Sequence, residues 1–144
     1  GVLMIGFPLG TQNIKVERQS GSYVDSVWYP AAKFLPEVRP IVFGLMSRVE
    51  GERLGGILIT KLPPGGRIEP HTDAGWHAAK YDKFFVAVQS PEGSVFGFPD
   101  GEIRAKDGDV YFFKNDVDHW VWNNSNRERI AMIVCIQCNR GPAW

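Results

Sequence analysis

Cysteine and histidine are scarce in this chain, with two of the first and three of the second in 144 residues. Two cysteines cannot staple a fold, so a disulfide scaffold of the secreted kind is excluded. Cys135 and Cys138 do have the C-x-x-C spacing of redox and zinc sites. They fall at the end of a strand-like run, 130–137, where an offset of three sends side chains to opposite faces, so each is expected to act as a small buried hydrophobe. Charge of one sign is also missing: sixteen basic residues balance sixteen acidic ones. Nothing in that balance points to electrostatic capture of nucleic acid or of an anionic membrane, and neither is expected as a partner. No apolar run reaches membrane-spanning length, and the run Val2 to Ile5 is too short, and lacks the basic start, for a signal peptide. The expectation is a soluble protein with reduced cysteines, located in the cytoplasm.

What the chain has instead is sixteen glycines, ten prolines and eighteen aromatic residues, a composition of short strands and turns. Its length suits one domain, 1–144, with an N-terminal support region over 1–53 and a barrel core over 54–138. Val2 to Phe7 reads as a strand and Ser26 to Leu35 as a short helix. A second helix is predicted from Pro36 or Glu37 to about Arg48, with Val38, Ile41, Val42, Leu45 and Met46 as its apolar stripe and Pro40 in its first turn. Eight strands follow: Gly56 to Leu62, Arg67 to Glu69, Lys83 to Gln89, Ser94 to Phe98, Glu102 to Ala105, Asp109 to Lys114, His119 to Trp122 and Arg129 to Gln137. Turn clusters such as Pro63-Pro64-Gly65-Gly66 and Lys106-Asp107-Gly108 separate them. The fold class is mainly β, a jelly roll or double-stranded β-helix, with one to three N-terminal helices packed outside the barrel.

Two of the three histidines stand in a pattern. Within EPHTD, residues 69–73, His71 and Asp73 are two positions apart at the end of a predicted strand and so share a face. His119 lies on a later strand. Singly, His71 and Asp73 read as a hydrogen-bonded turn pair and His119 as a core histidine; together, in a jelly roll, they read as a metal site. Two imidazoles and a carboxylate that leave positions open suit a non-haem Fe(II) that activates O2. The open positions can take a bidentate co-substrate, most commonly an α-keto acid, whose far carboxylate needs a buried cation. Arg129 is the candidate, because it starts the last strand and its planar fork binds a carboxylate bidentately. Trp76 and His77, between Asp73 and the strand at Lys83, are placed in a loop over the pocket as candidates to line or cover it. Trp120 and Trp122 alternate away from His119 and are assigned to packing against the other layer or the helices.

The segment from about Thr60 to Gln137 resembles the aspartyl/asparaginyl β-hydroxylase family of Fe(II)/2-oxoglutarate dioxygenases. The resemblance is carried by ITKLPPGGRIEPHTD, FFVAVQSPEGSVFGF, KDGDVYFFKNDVDHWVWN and RIAMIVCIQ. It implies iron ligands at His71 and His119, with Arg129 on the C5 carboxylate of 2-oxoglutarate. It also implies hydroxylation of an amino-acid or peptidyl side chain, with succinate and CO2 as co-products. Thr60 stands where the family has a hydroxyl residue near the co-substrate, and Lys83 where it has an arginine. The chain departs from the best-known animal members at two positions: Asp73 replaces a glycine, and Phe85 replaces a histidine that touches the co-substrate.

The same segments also resemble the two cupin motifs, through Gly65 six residues before His71 and through Gly108, His119 and Asn123. That reading implies a four-ligand metal site of His71, Asp73, His77 and His119 with no use of 2-oxoglutarate. A third reading is a metal-free jelly roll that binds a sugar or peptide.

Overall fold

The computed structural model describes residues 2–8 and 26–138; residues 1, 9–25 and 139–144 lie outside it. Ten strands and two α-helices are described. They are β1 (Val2–Pro8), β2 (Ser26–Trp28), α1 (Val38–Arg48), β3 (Gly51–Leu62), β4 (Arg67–His71), α2 (Trp76–Lys80), β5 (Asp82–Gln89), β6 (Ser94–Phe98), β7 (Gly101–Ile103), β8 (Val110–Phe113), β9 (His119–Asn123) and β10 (Arg129–Cys138). All pairings are antiparallel, in a six-stranded sheet of order β2-β1-β3-β10-β5-β8 and a four-stranded sheet of order β4-β9-β6-β7. The two sheets face one another as a double-stranded β-helix.

The period of two along β10 sorts its side chains between two cores. Met132, Val134 and Ile136 join Ile57, Phe84 and Val86 on the outer face of the large sheet, under Val38, Val42 and Leu45 of α1. Ala131 joins Leu62, Phe85, Ala87, Phe96, Phe113 and Val121 between the sheets. Arg129 has the inward parity of Ala131. Cys135 has it too and is buried, whereas Cys138 packs with the outer cluster; neither is in a disulfide. The two cysteines therefore serve opposite faces, as the strand period requires. Burial pushes the Cys135 thiol up to about 11, so it stays protonated.

Three local expectations are corrected. Ser26 to Leu35 is not a helix: Ser26–Trp28 pairs with β1, and only Pro30–Phe34 winds, as a 3-10 turn started by Pro30. β-branched and aromatic residues beside an open strand edge prefer the ladder to a helix. β3 begins at Gly51 rather than Gly56, since its glycines are there for close approach. A Cβ on Gly55 would come within 2.8 Å of the Tyr81 ring. Trp120 and Trp122 pack on the outside of their own small sheet, with ring centroids 6.1 Å apart, Trp120 over Gly97 and Arg67 over Trp122.

Asn123, read from sequence as part of a turn cluster, is fully buried and ties two loops together. Its Nδ2 donates to the carbonyls of Leu62, Pro63 and Arg127 at 2.8–3.1 Å, and its Oδ1 accepts from the Ser125 hydroxyl at 2.6 Å. Gly93 lies beside this knot with φ 95, and a Cβ there would meet the Asn124 carbonyl at 2.8 Å, so only glycine fits the turn. Asn123→Ala leaves these buried carbonyls without donors and is expected to destabilise the fold by about 3 kcal/mol. The check is a urea midpoint lowered by roughly 1–2 M with an unchanged slope; an unmoved midpoint would show that the loops are held elsewhere.

Candidate metal centre

β4 and β9 run side by side with His71 directly opposite His119. Cross-strand neighbours of this kind put their side chains in contact, and the two imidazole centroids lie 4.4 Å apart. Strict alternation would not achieve this. Ile68 faces inward against Val121, so His71, three residues on, would point outward. The register of β4 shifts between Ile68 and His71, at Glu69-Pro70, and this irregularity restores the inward direction. Pro70 is tolerated there because β4 is an edge strand.

Asp73 comes from the loop after β4, anchored by its backbone N–H on the Asn115 carbonyl at 2.8 Å. Its Oδ1 lies 3.9 Å from His71 Nε2 and its Oδ2 3.8 Å from His119 Nε2. One ligand atom from each of His71, Asp73 and His119 falls within 4.8 Å of the others. Nδ1 of His71 is 2.8 Å from the Glu69 carbonyl, and Nδ1 of His119 is 2.8 Å from the Val117 carbonyl. A carbonyl only accepts, so in the neutral ring each Nδ1 carries the proton and each Nε2 turns a lone pair toward Asp73. Two oriented imidazoles and one carboxylate, with no thiolate, form a donor set that fits a divalent first-row ion such as Fe(II). His71 is 43% exposed and His119 only 6%, so the centre opens at the His71 side and is closed behind His119. Phe113, Phe96 and Phe98, with ring centroids 5.3–6.3 Å from His119, form that dry wall.

A cavity of about 180 Å³ leads inward from the triad between the sheets, lined by all three candidate ligands and by Thr60, Lys83, Phe85 and Arg129. Arg129 is 3% exposed, reaches over the Phe85 ring at 5.1 Å, and has no carboxylate partner among the described residues. Burial lowers its pKa to about 10, which still leaves it charged at neutral pH.

Lys83 lines the cavity, yet its Nζ sits on Asp73 Oδ2 at 2.5 Å. The ammonium thus engages the ligand carboxylate in this structure, a contact that the resemblance did not suggest. Trp76 and His77 are corrected more fully. They are not in a loop but open the helix α2, and neither lines the cavity. His77 stacks on Tyr81 at 4.6 Å and stands outside the three-ligand group. Burial, reinforced by Lys83 and opposed by Asp73, lowers its pKa to about 4. Sequence reading missed the helix because Trp76-His77-Ala78-Ala79-Lys80 is too short for a periodic signal.

A family profile described as Aspartyl/Asparaginyl beta-hydroxylase matches residues 25–138. The chain belongs to this family. Among solved structures, a cupin domain from Bordetella pertussis Tohama I is 22% identical, with 63% of this chain and 88% of that one covered and a TM-score of 0.46. A predicted oxalate decarboxylase from Thermotoga maritima is 20% identical, with coverage of 65% and 72% and a TM-score of 0.47. A cupin protein from Bacteroides fragilis is 11% identical, with coverage of 62% and 70% and a TM-score of 0.47. A search of curated protein sequences finds no match. In this member of the beta-hydroxylase family Asp73 adds a carboxylate to the two histidines of the candidate centre. No helix among the described residues is long and apolar enough to cross a membrane.

Proposed function

We propose that this beta-hydroxylase family member is a non-haem Fe(II)/2-oxoglutarate-dependent dioxygenase that hydroxylates an amino-acid or peptidyl side chain. The observation that carries the reading is Arg129, a buried guanidinium with no carboxylate partner among the described residues, at the wall of the cavity that the triad also lines. A desolvated cation without a counter-ion is costly to fold around, and a carboxylate ligand removes that cost.

His71, Asp73 and His119 would hold the iron; when bound, with 2-oxoglutarate and O2 as co-substrates, it supplies the oxidising chemistry. The chain's own residues do the rest. The Glu69 and Val117 carbonyls keep both imidazoles in the tautomer that exposes Nε2. Lys83 restrains one oxygen of Asp73. Arg129 receives the far carboxylate of the co-substrate with two parallel N–H donors, and Phe85 supports the flat guanidinium from below. Phe96, Phe98 and Phe113 keep water from the closed side. The side chain to be oxidised approaches from the exposed His71 side.

The direct test is anaerobic addition of Fe(II) and 2-oxoglutarate, which is expected to produce the weak visible charge-transfer band of a metal-chelated keto acid, followed by succinate on admission of O2. Iron binding with neither band nor succinate would overturn the reading in favour of a metal-binding cupin that does not use 2-oxoglutarate.

A further inference from the structure

Lys83 stands near the start of β5 and has the inward parity of Phe85 and Ala87, so its stem runs between the sheets toward the triad cavity that it lines. Its neighbours in register are Cys135 on β10 and Phe113 on β8. Neither carries charge, since Phe113 is apolar and burial keeps the Cys135 thiol protonated. His77, whose pKa the ammonium helps to lower, is neutral as well. The side chain of Lys83 is only 16% exposed, and its sole carboxylate partner among the described residues is Asp73. An ammonium is strongly hydrated in water, so one that is mostly buried with a single counter-ion holds that contact firmly.

Asp73 is fixed from another side by its backbone. Its N–H donates to the Asn115 carbonyl at 2.8 Å, and the Asn115 side chain donates in turn to the Ala78 carbonyl at 3.1 Å. With the main chain pinned, the orientation of the carboxylate is set by what its oxygens touch. The ammonium takes Oδ2 at 2.5 Å, which leaves Oδ1, 3.9 Å from His71 Nε2, as the oxygen without a cation. A carboxylate with both oxygens available can spread them over one divalent ion. That second oxygen would fill a position that a bidentate co-substrate needs. We propose that Lys83 is a positioning residue of the metal centre, which by holding Oδ2 makes Asp73 a one-oxygen ligand and keeps the remaining positions of the ion open. This rests on the proposed metal-dependent function, and it is exerted through Asp73 rather than by contact with the co-substrate. The same ammonium offsets the carboxylate charge, so two neutral imidazoles, Asp73 and Lys83 together carry no net charge. Open positions and moderate metal affinity therefore come from one contact.

The test loads the wild type, Lys83→Met and Lys83→Arg with Mn2+, an ion that accepts carboxylate and water ligands, and reads the relaxation of water protons. An octahedral ion on three protein atoms keeps about three exchangeable waters, and with both Asp73 oxygens bound it keeps about two. Lys83→Met is therefore expected to lower the relaxivity of the fully loaded protein by about a third. It is also expected to bind Mn2+ at least about tenfold more tightly, because a positive charge beside the centre has gone. Lys83→Arg keeps a cation on Oδ2 and is expected to match the wild type in both measurements. A merely structural lysine would behave otherwise: Lys83→Met would melt lower and bind Mn2+ more weakly, with the relaxivity per bound ion unchanged. Unchanged relaxivity in Lys83→Met, or an equal fall in Lys83→Arg, overturns the assignment of Lys83 and leaves the proposed function standing. If the wild type binds no Mn2+ and no Fe(II), both fall.

Discussion

Arg129→Met is expected to weaken 2-oxoglutarate binding by at least about 100-fold while leaving metal affinity within a factor of about two. The size follows from losing two charge-assisted hydrogen bonds of roughly 1.5–3 kcal/mol each. Methionine fills similar apolar volume beside Phe85 without a charge. The same exchange removes a buried cation that has no carboxylate partner among the described residues, so the ligand-free protein is not expected to lose stability. The combination is diagnostic: calorimetry with 2-oxoglutarate and a metal titration on one sample separate a co-substrate anchor from a folding residue. Parallel loss of metal and co-substrate, with a lowered melting temperature, would show that Arg129 holds the barrel together instead.

Asp73→Ala is expected to reduce divalent metal affinity by more than about 100-fold, beyond the 10–100-fold typical of losing an outer partner of a ligand. The two imidazoles that remain are already aligned by the Glu69 and Val117 carbonyls, so their geometry does not depend on Asp73. What disappears is the negative charge. Lys83, whose side chain is only 16% exposed, then faces the centre without its partner and repels the incoming cation. Unpairing this ammonium also costs stability, so Asp73→Ala is best compared with the double variant Asp73→Ala/Lys83→Met, in which the unpaired charge is gone. If the double variant recovers the melting temperature but not the metal, the carboxylate is a ligand. If Asp73→Ala binds metal as tightly as the wild type, two histidines suffice here and the triad reading is wrong.

The chain by itself determined most of the strands and pointed to the candidate ligand group. Alternation of apolar and polar residues between Gly and Pro turns reports which face of a strand is buried, a local property with a period of two, so the strands from β3 to β10 were legible within a few residues. His71, Asp73 and His119 were legible because histidine is so scarce here that two in motif positions stand out. Arg129 was legible as the inward residue that starts the last strand. Only the tertiary structure decided the rest, because each remaining feature depends on groups far apart in sequence. The irregularity at Glu69-Pro70 that turns His71 inward is a matter of register against β9. The hold of Lys83 on Asp73 depends on β5 lying beside the β4 loop. The exclusion of His77 follows from a short helix stabilised by Tyr81 rather than by its own periodicity. Asn123 looks like a turn residue in the chain, since it stands in a cluster of Asn and Ser. Its burial, with one amide closed over three carbonyls, exists only once the strands and loops around it meet.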